Sequence, residues 1–169
     1  MDKLFMEFKE VLCARASVRE YADEKISREV LERLVDAGRR APSARAVEPW
    51  EFVAVTDKEI LRQLAGLAAN GAFVAAAAAA IVVFCRETKY YLEDGCAATE
   101  NILLAATSAG LGACWIAGDK KEYAQKVTAL LGAPAGMKLI SIISVGVPVQ
   151  NIKQVKRRSL EQVFHWEIF

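Results

Sequence analysis

The amino-acid sequence predicts one domain in which helices and strands mix, a parallel or mixed sheet flanked by helices. Three observations carry this. The chain has 169 residues, a length that suits one compact core. Apolar residues make up 54% of it, enough to fill that core. Helical periods and strand patterns then alternate along it, with no repeat and no linker to divide it.

Residues 3–14 place Leu4, Phe8, Val11 and Leu12 at helical spacing, with Phe5 beside them. Ser27 stands where it can cap a second helix over 28–40. Its apolar stripe runs through Val30, Leu31, Leu34, Val35 and Ala41, and Pro42 stops it. Residues 50–56 alternate like a strand. Thr56-Asp57-Lys58-Glu59 reads as a capping box for a helix over 57–69, which Gly71 breaks. Six alanines at 75–80 suit tight packing, and the apolar run 81–85 reads as a central strand buried on both faces. The longest helical pattern, 92–109, keeps Ala98, Ile102, Ala105, Ala106 and Ala109 on one side, and Gly110 and Gly112 end it. Residues 113–116 form a short strand or extended turn. The Asp119-Lys-Lys-Glu122 run opens a helix that closes near Gly132 and Pro134. Residues 138–147 are the strongest strand, ended by Pro148.

Composition excludes several functions. A formal net charge of +1 gives no field to attract nucleic acid or a membrane surface. The longest apolar stretch, 72–85, is too short to span a bilayer. The opening MDKLFMEFKE carries acidic residues and no secretion-signal core, so a cytoplasmic location is expected. Cys13, Cys85, Cys96 and Cys114 are too far apart for a zinc knuckle or a redox CxxC, and are expected reduced and mostly buried. His165 is the only histidine, which rules out a multi-histidine metal centre. There is no GxxxxGK[ST] loop. The segment GLGACWIAG (110–118) is not a dinucleotide fingerprint, because it follows a helix and its third glycine position is Trp115. Two readings of its glycines stay open: helix terminators, or places where backbone approaches closely.

Two basic clusters bracket this neutral chain. RASVREY sets Arg15, Ser17 and Arg19 within five residues after a helix end, which suits a phosphate, although a solvated basic turn is the commoner reading of such a segment alone. Lys156, Arg157 and Arg158 lie near the other end. Together they suggest one shared anionic ligand.

RASVREY, APS and PW around a loop, ENILLAATSAGLGACWI, SVGVP and KRRSLEQVFHW occur in the order and spacing of the nitroreductase family. The sequence resembles that family over essentially its full length. The resemblance implies an α+β nitroreductase-like fold as one domain over 1–169: three α/β/α layers around a mixed or antiparallel sheet. It further implies flavin mononucleotide (FMN) as cofactor, NADH or NADPH as reductant, and a homodimer with FMN at the subunit interface. Hydride would pass by a ping-pong route to a small nitroaromatic- or quinone-like acceptor, with flavin-borne chemistry and no catalytic side chain. Rival implications are dehalogenation, flavin fragmentation, or FMN binding without nicotinamide turnover.

By the same resemblance, Arg15, Ala16, Ser17 and Arg19 hold the FMN phosphate together with Lys156 and Arg158, Arg157 being the alternative. Pro42, Ser43, Ala44 and Ala46 pass along the flavin, Cys114, Trp115, Ile116 and Ala117 bring backbone N–H groups to its reactive edge, and Asn70 reaches it from a helix end. The loop Ala41-Pro-Ser-Ala-Arg-Ala-Val-Glu-Pro-Trp50 departs from the family pattern APSxxNxQPW, with Ala46 for asparagine and Glu48 for glutamine. The short stretch 86–93 implies a reduced lid. The helix at 92–109, the first helix and the terminal VFHWEIF are expected interface elements, the last as a strand added to the partner's sheet.

Overall fold

The computed structural model describes residues 7–150, 152 and 158–169. Strands β1 (Trp50–Val55), β2 (Ala79–Arg86), β3 (Gly112–Ala117) and β4 (Met137–Gly146) form one sheet in the order β1-β2-β4-β3. Helices α2 (Arg28–Arg39) and α4 (Tyr91–Ser108) cover one face, and α3 (Lys58–Leu67) and α5 (Ala124–Leu130) the other. On the first face Leu31, Leu34, Ile102 and Ala106 pack against Ile81, Val83 and Ile143. On the second Leu61, Leu64 and Val127 pack against Val82, Phe84 and Ile142. The alternation of side chains along each strand thus feeds two cores, which is why β2 reads as a continuous apolar run.

The four strands pair antiparallel throughout. This corrects the parallel reading and agrees with the antiparallel one. The cause is the connection after β1. Helix α3 packs on a 3-10 turn (Ala72–Ala76), so the chain doubles back and β2 starts where β1 stopped, with Val55 opposite Ala80.

The element boundaries have local causes. Ser27 caps α2, its hydroxyl accepting from Val30 N–H at 3.4 Å. Asp57, not Thr56, caps α3: its carboxylate accepts from both Glu59 and Ile60 N–H, at 2.9 and 3.0 Å. Strand β2 begins earlier than residue 81 because Ala79 and Ala80 are buried small residues that continue it. Helix α5 starts later than residue 119 because Lys120 adopts a left-handed φ of 56°. Helix α1 runs Phe8–Ala14 from a cap at Glu7; the expected residues 3–6, Leu4 and Phe5 among them, lie outside the described residues. Among the described residues of its expected apolar stripe, Val11 is buried, Phe8 is 70% exposed and Leu12 45%. A bulge in β4 opposite Val83/Phe84 frees the Ile140 carbonyl, which accepts from Gly118 N–H at 2.8 Å and pins the turn after β3.

All four cysteines are free. Cys85 and Cys114 are buried, Cys96 is half-buried, and Cys13, against expectation, is exposed on α1. Burial pushes the Cys85 thiol up to about 12, and pushes the Tyr21 phenol up as well. Both groups are neutral in the fold and lose their protons sooner in the unfolded chain. Their contribution is therefore complete below the unfolded thiol value near 9 and declines above it. Chemical-unfolding stability is expected to fall steadily from about pH 9 upward, and Cys85→Ala is expected to flatten the first part of that fall. Among the described residues no helix is long and apolar enough to cross a membrane, and no cluster of metal-ligating side chains is present.

Candidate functional site

The first half of the site is a segment laid along the open edge of β3. Ser17 bridges Ala113 in parallel, and Val18 N–H donates to the Ala113 carbonyl at 3.0 Å. Two glycines make the bed for this segment. Gly112 and Gly146 face each other across β3 and β4. A Cβ on Gly112 would lie 2.6 Å from Val18, and one on Gly146 2.6 Å from the Tyr21 ring. The Tyr21 hydroxyl locks the arrangement, donating to the Val18 carbonyl at 2.6 Å and lying 2.7 Å from Ser144 Oγ. The two readings of the glycines therefore divide. Gly110, at φ 73°, ends α4, while Gly112 permits close approach.

This bed fixes the polar groups. Arg19 donates to the Ser17 carbonyl at 3.3 Å and rests over the Phe73 ring at 5.7 Å. Ala16 is half-buried between Arg15 and Ser17. Arg15 and Ser17 open onto a groove of about 360 Å³. Leu12, Leu103, Leu104 and Trp115 form its apolar wall, and Glu100 lies 3.8 Å from Arg15 Nε. Because Ala113 turns its backbone outward, strand alternation turns Trp115 and Ala117 outward too, while Cys114 and Ile116 pair with β4. The Tyr123 hydroxyl occupies the Ala117 carbonyl. Burial raises the Cys114 thiol, with Arg19 opposing. Asn70 is exposed and does not line the groove.

A guanidinium and a hydroxyl at one wall, an aromatic and aliphatic wall, and outward backbone donors fit an anionic head group with a flat apolar body. FMN has that chemistry, and these residues fit it.

The second half lies elsewhere on the protomer. Pro42, Ser43, Ala44 and Ala46 do not line the groove. Their loop hangs on the first turn of α4, where the buried Asp94 carboxylate accepts from Ala44 N–H at 3.0 Å. Ser43 Oγ accepts from Glu48 N–H at 2.9 Å, and Arg86 donates to the carbonyls of Val47 and Glu48. Arg45, Ala46 and Glu48 all hold left-handed φ values, 58°, 52° and 46°. These contacts offset backbone strain that L-residues resist. Asp94 precedes Glu100 by six residues, about 9 Å along the helix. Arg158 bonds the Gln162 carbonyl within its own segment and does not line the groove. Lys156 and Arg157 lie outside the described residues.

Asp94, Arg86 and Glu100 were not among the residues expected from sequence. The available signal was weak: acids on a long helix usually face water. Asp94→Ala is expected to cost about 1–3 kcal/mol in chemical unfolding and to speed proteolysis at 43–48, since the Ala44 N–H loses its acceptor. Asp94→Asn keeps an acceptor and is expected to cost less.

The nitroreductase family model matches residues 12–94 and 86–147. A "Putative NADH dehydrogenase/NAD(P)H nitroreductase" of Archaeoglobus fulgidus is 37% identical over 146 residues, covering 82% of this chain and 83% of that protein. A crystal structure of the same description from Bacteroides thetaiotaomicron superposes with a TM-score of 0.90 at 30% identity, covering 96% of this chain and 98% of that one. An FMN-dependent nitroreductase from Clostridium difficile does so with a TM-score of 0.88 at 30% identity, over 94% and 98% of the two chains. With its antiparallel layered fold, a family model matched over 12–94 and 86–147 and a relative 37% identical, the chain belongs to the nitroreductase family.

Proposed function

We propose that this protein is an FMN-dependent NAD(P)H oxidoreductase that works as a homodimer with the flavin at the subunit interface. The observation that carries the reading is the Arg15–Ser17 groove set against Trp115 on the open edge of β3, within a nitroreductase fold. When bound, FMN would take a hydride from NADH or NADPH and pass it to a small nitroaromatic- or quinone-like acceptor.

The chain's own residues have defined tasks. Arg15, with Ser17 and Arg19, holds the phosphate, and the basic cluster Lys156, Arg157 and Arg158 completes its neutralisation. Ala16 sets the spacing between the first two. Trp115 and Ala117 offer backbone N–H groups along the strand edge, and Cys114 and Ile116 fix that edge to β4. Pro42, Ser43, Ala44 and Ala46 wall the flavin from the partner subunit. The separation of this loop from the groove in one protomer supports a site built by two. So do the exposed apolar residues Phe8 and Leu12 on α1, and Phe164, Trp166 and Ile168 in the terminal segment.

Initial velocities of the FMN-loaded protein with each nicotinamide and a quinone or nitroaromatic test the reaction. Parallel double-reciprocal lines are expected. Turnover confined to halogenated substrates would replace this reading with a dehalogenase.

A further inference from the structure

We propose that Glu100 is a specificity-determining residue that loosens the grip of Arg15 on the cofactor phosphate; this rests on the flavin reading above. Among the described residues, the groove's polar side chains are one guanidinium, one hydroxyl and one carboxylate. Glu100 Oε1 lies 3.8 Å from Arg15 Nε, and among the described residues of the groove these two charges oppose each other. The backbone that carries this carboxylate stands in a fixed place. Thr99, just before it, meets Ser141 across the buried face at 2.8 Å, and Asn101, just after it, donates to the Ala37 carbonyl at 3.0 Å. Helix α4 is thereby tied to the sheet and to α2 on either side of Glu100.

Two effects of Glu100 oppose each other. It orients Arg15, which favours any ligand that Arg15 binds. It also repels a phosphate monoester carrying nearly two negative charges. Magnitudes decide between them. The side chain of Glu100 is 46% exposed and its pair with Arg15 is longer than a hydrogen bond, so the orienting effect is small. The same solvent screens the repulsion, but a ligand group with nearly two charges roughly doubles it, so repulsion is the larger effect. Glu100 therefore favours a phosphate-bearing flavin that exchanges over one that is held permanently.

Fluorescence-quench titrations of wild type, Glu100→Gln and Glu100→Ala with FMN and with riboflavin test this. FMN is expected to bind both variants about tenfold more tightly, with a steeper salt dependence because one more uncompensated positive charge meets the phosphate. Riboflavin, which lacks the phosphate, is expected to bind all three proteins alike. Unchanged or weaker FMN binding by Glu100→Gln, or equal tightening of riboflavin, overturns the assignment. Failure of wild type and variants alike to bind any flavin overturns the flavin reading itself, and this inference with it.

Discussion

Arg15→Ala is expected to weaken FMN binding by about 10- to 100-fold and to leave riboflavin binding within about twofold. Hydrogen bonds to charged groups contribute about 1.5–3 kcal/mol each, and 1.4 kcal/mol is a factor of ten. Arg15 is the half-buried cation of the groove, with its side chain only 23% exposed, so solvent does little to replace it. Arg15→Lys is expected to recover part of the loss, since a point charge remains while the planar fork is gone. The fold is expected to survive, because the contact of Arg15 with Glu100 is a loose ion pair. Equal losses for FMN and riboflavin would show that Arg15 faces something other than the phosphate.

Gly112→Val is expected to disrupt both the fold and FMN retention. Even a single Cβ there meets three Val18 atoms at 2.6–2.9 Å, and valine adds two methyl groups beyond it. Overpacking of this kind costs about 1–3 kcal/mol where neighbours can shift. Here the neighbour that must shift carries Ser17 and, two residues further back, Arg15. Gly110→Ala is the informative control. Nothing lies within 4 Å of a Cβ at Gly110, but its φ is 73°. That change is expected to cost about 1 kcal/mol in strain while FMN affinity holds. Thermal unfolding and flavin titration of the two variants separate the two roles.

The contrast between these glycines illustrates what the sequence makes legible. Apolar patterning and capping signals locate α2, α3, α4 and the four strands to within two residues, while α5 starts five residues later than its sequence suggests. Strand direction leaves no such signal: β1 and β2 are antiparallel because α3 and a 3-10 turn fold back on each other, a tertiary fact. The clustering of Arg15, Ser17 and Arg19, on which their proposed phosphate role rests, is legible in the sequence. What supports them is not, since Gly112 and Gly146 are far apart in sequence and meet only through β3 and β4 pairing. Asp94 and Glu100 are hidden for a similar reason. Acids on a helix leave no pattern that separates a buried carboxylate holding a strained loop from a solvated one. Residues 42–46 and the groove resemble parts of one site in the sequence, yet the protomer holds them apart on α4.

The most direct test of the central claim is an absorbance spectrum of the protein mixed with FMN and freed of excess, followed by anaerobic addition of NADH and then NADPH. A protein-bound flavin band that bleaches with at least one nicotinamide is the predicted result. A protein that retains no flavin, or one whose bound flavin is bleached by dithionite and by neither nicotinamide, would contradict it.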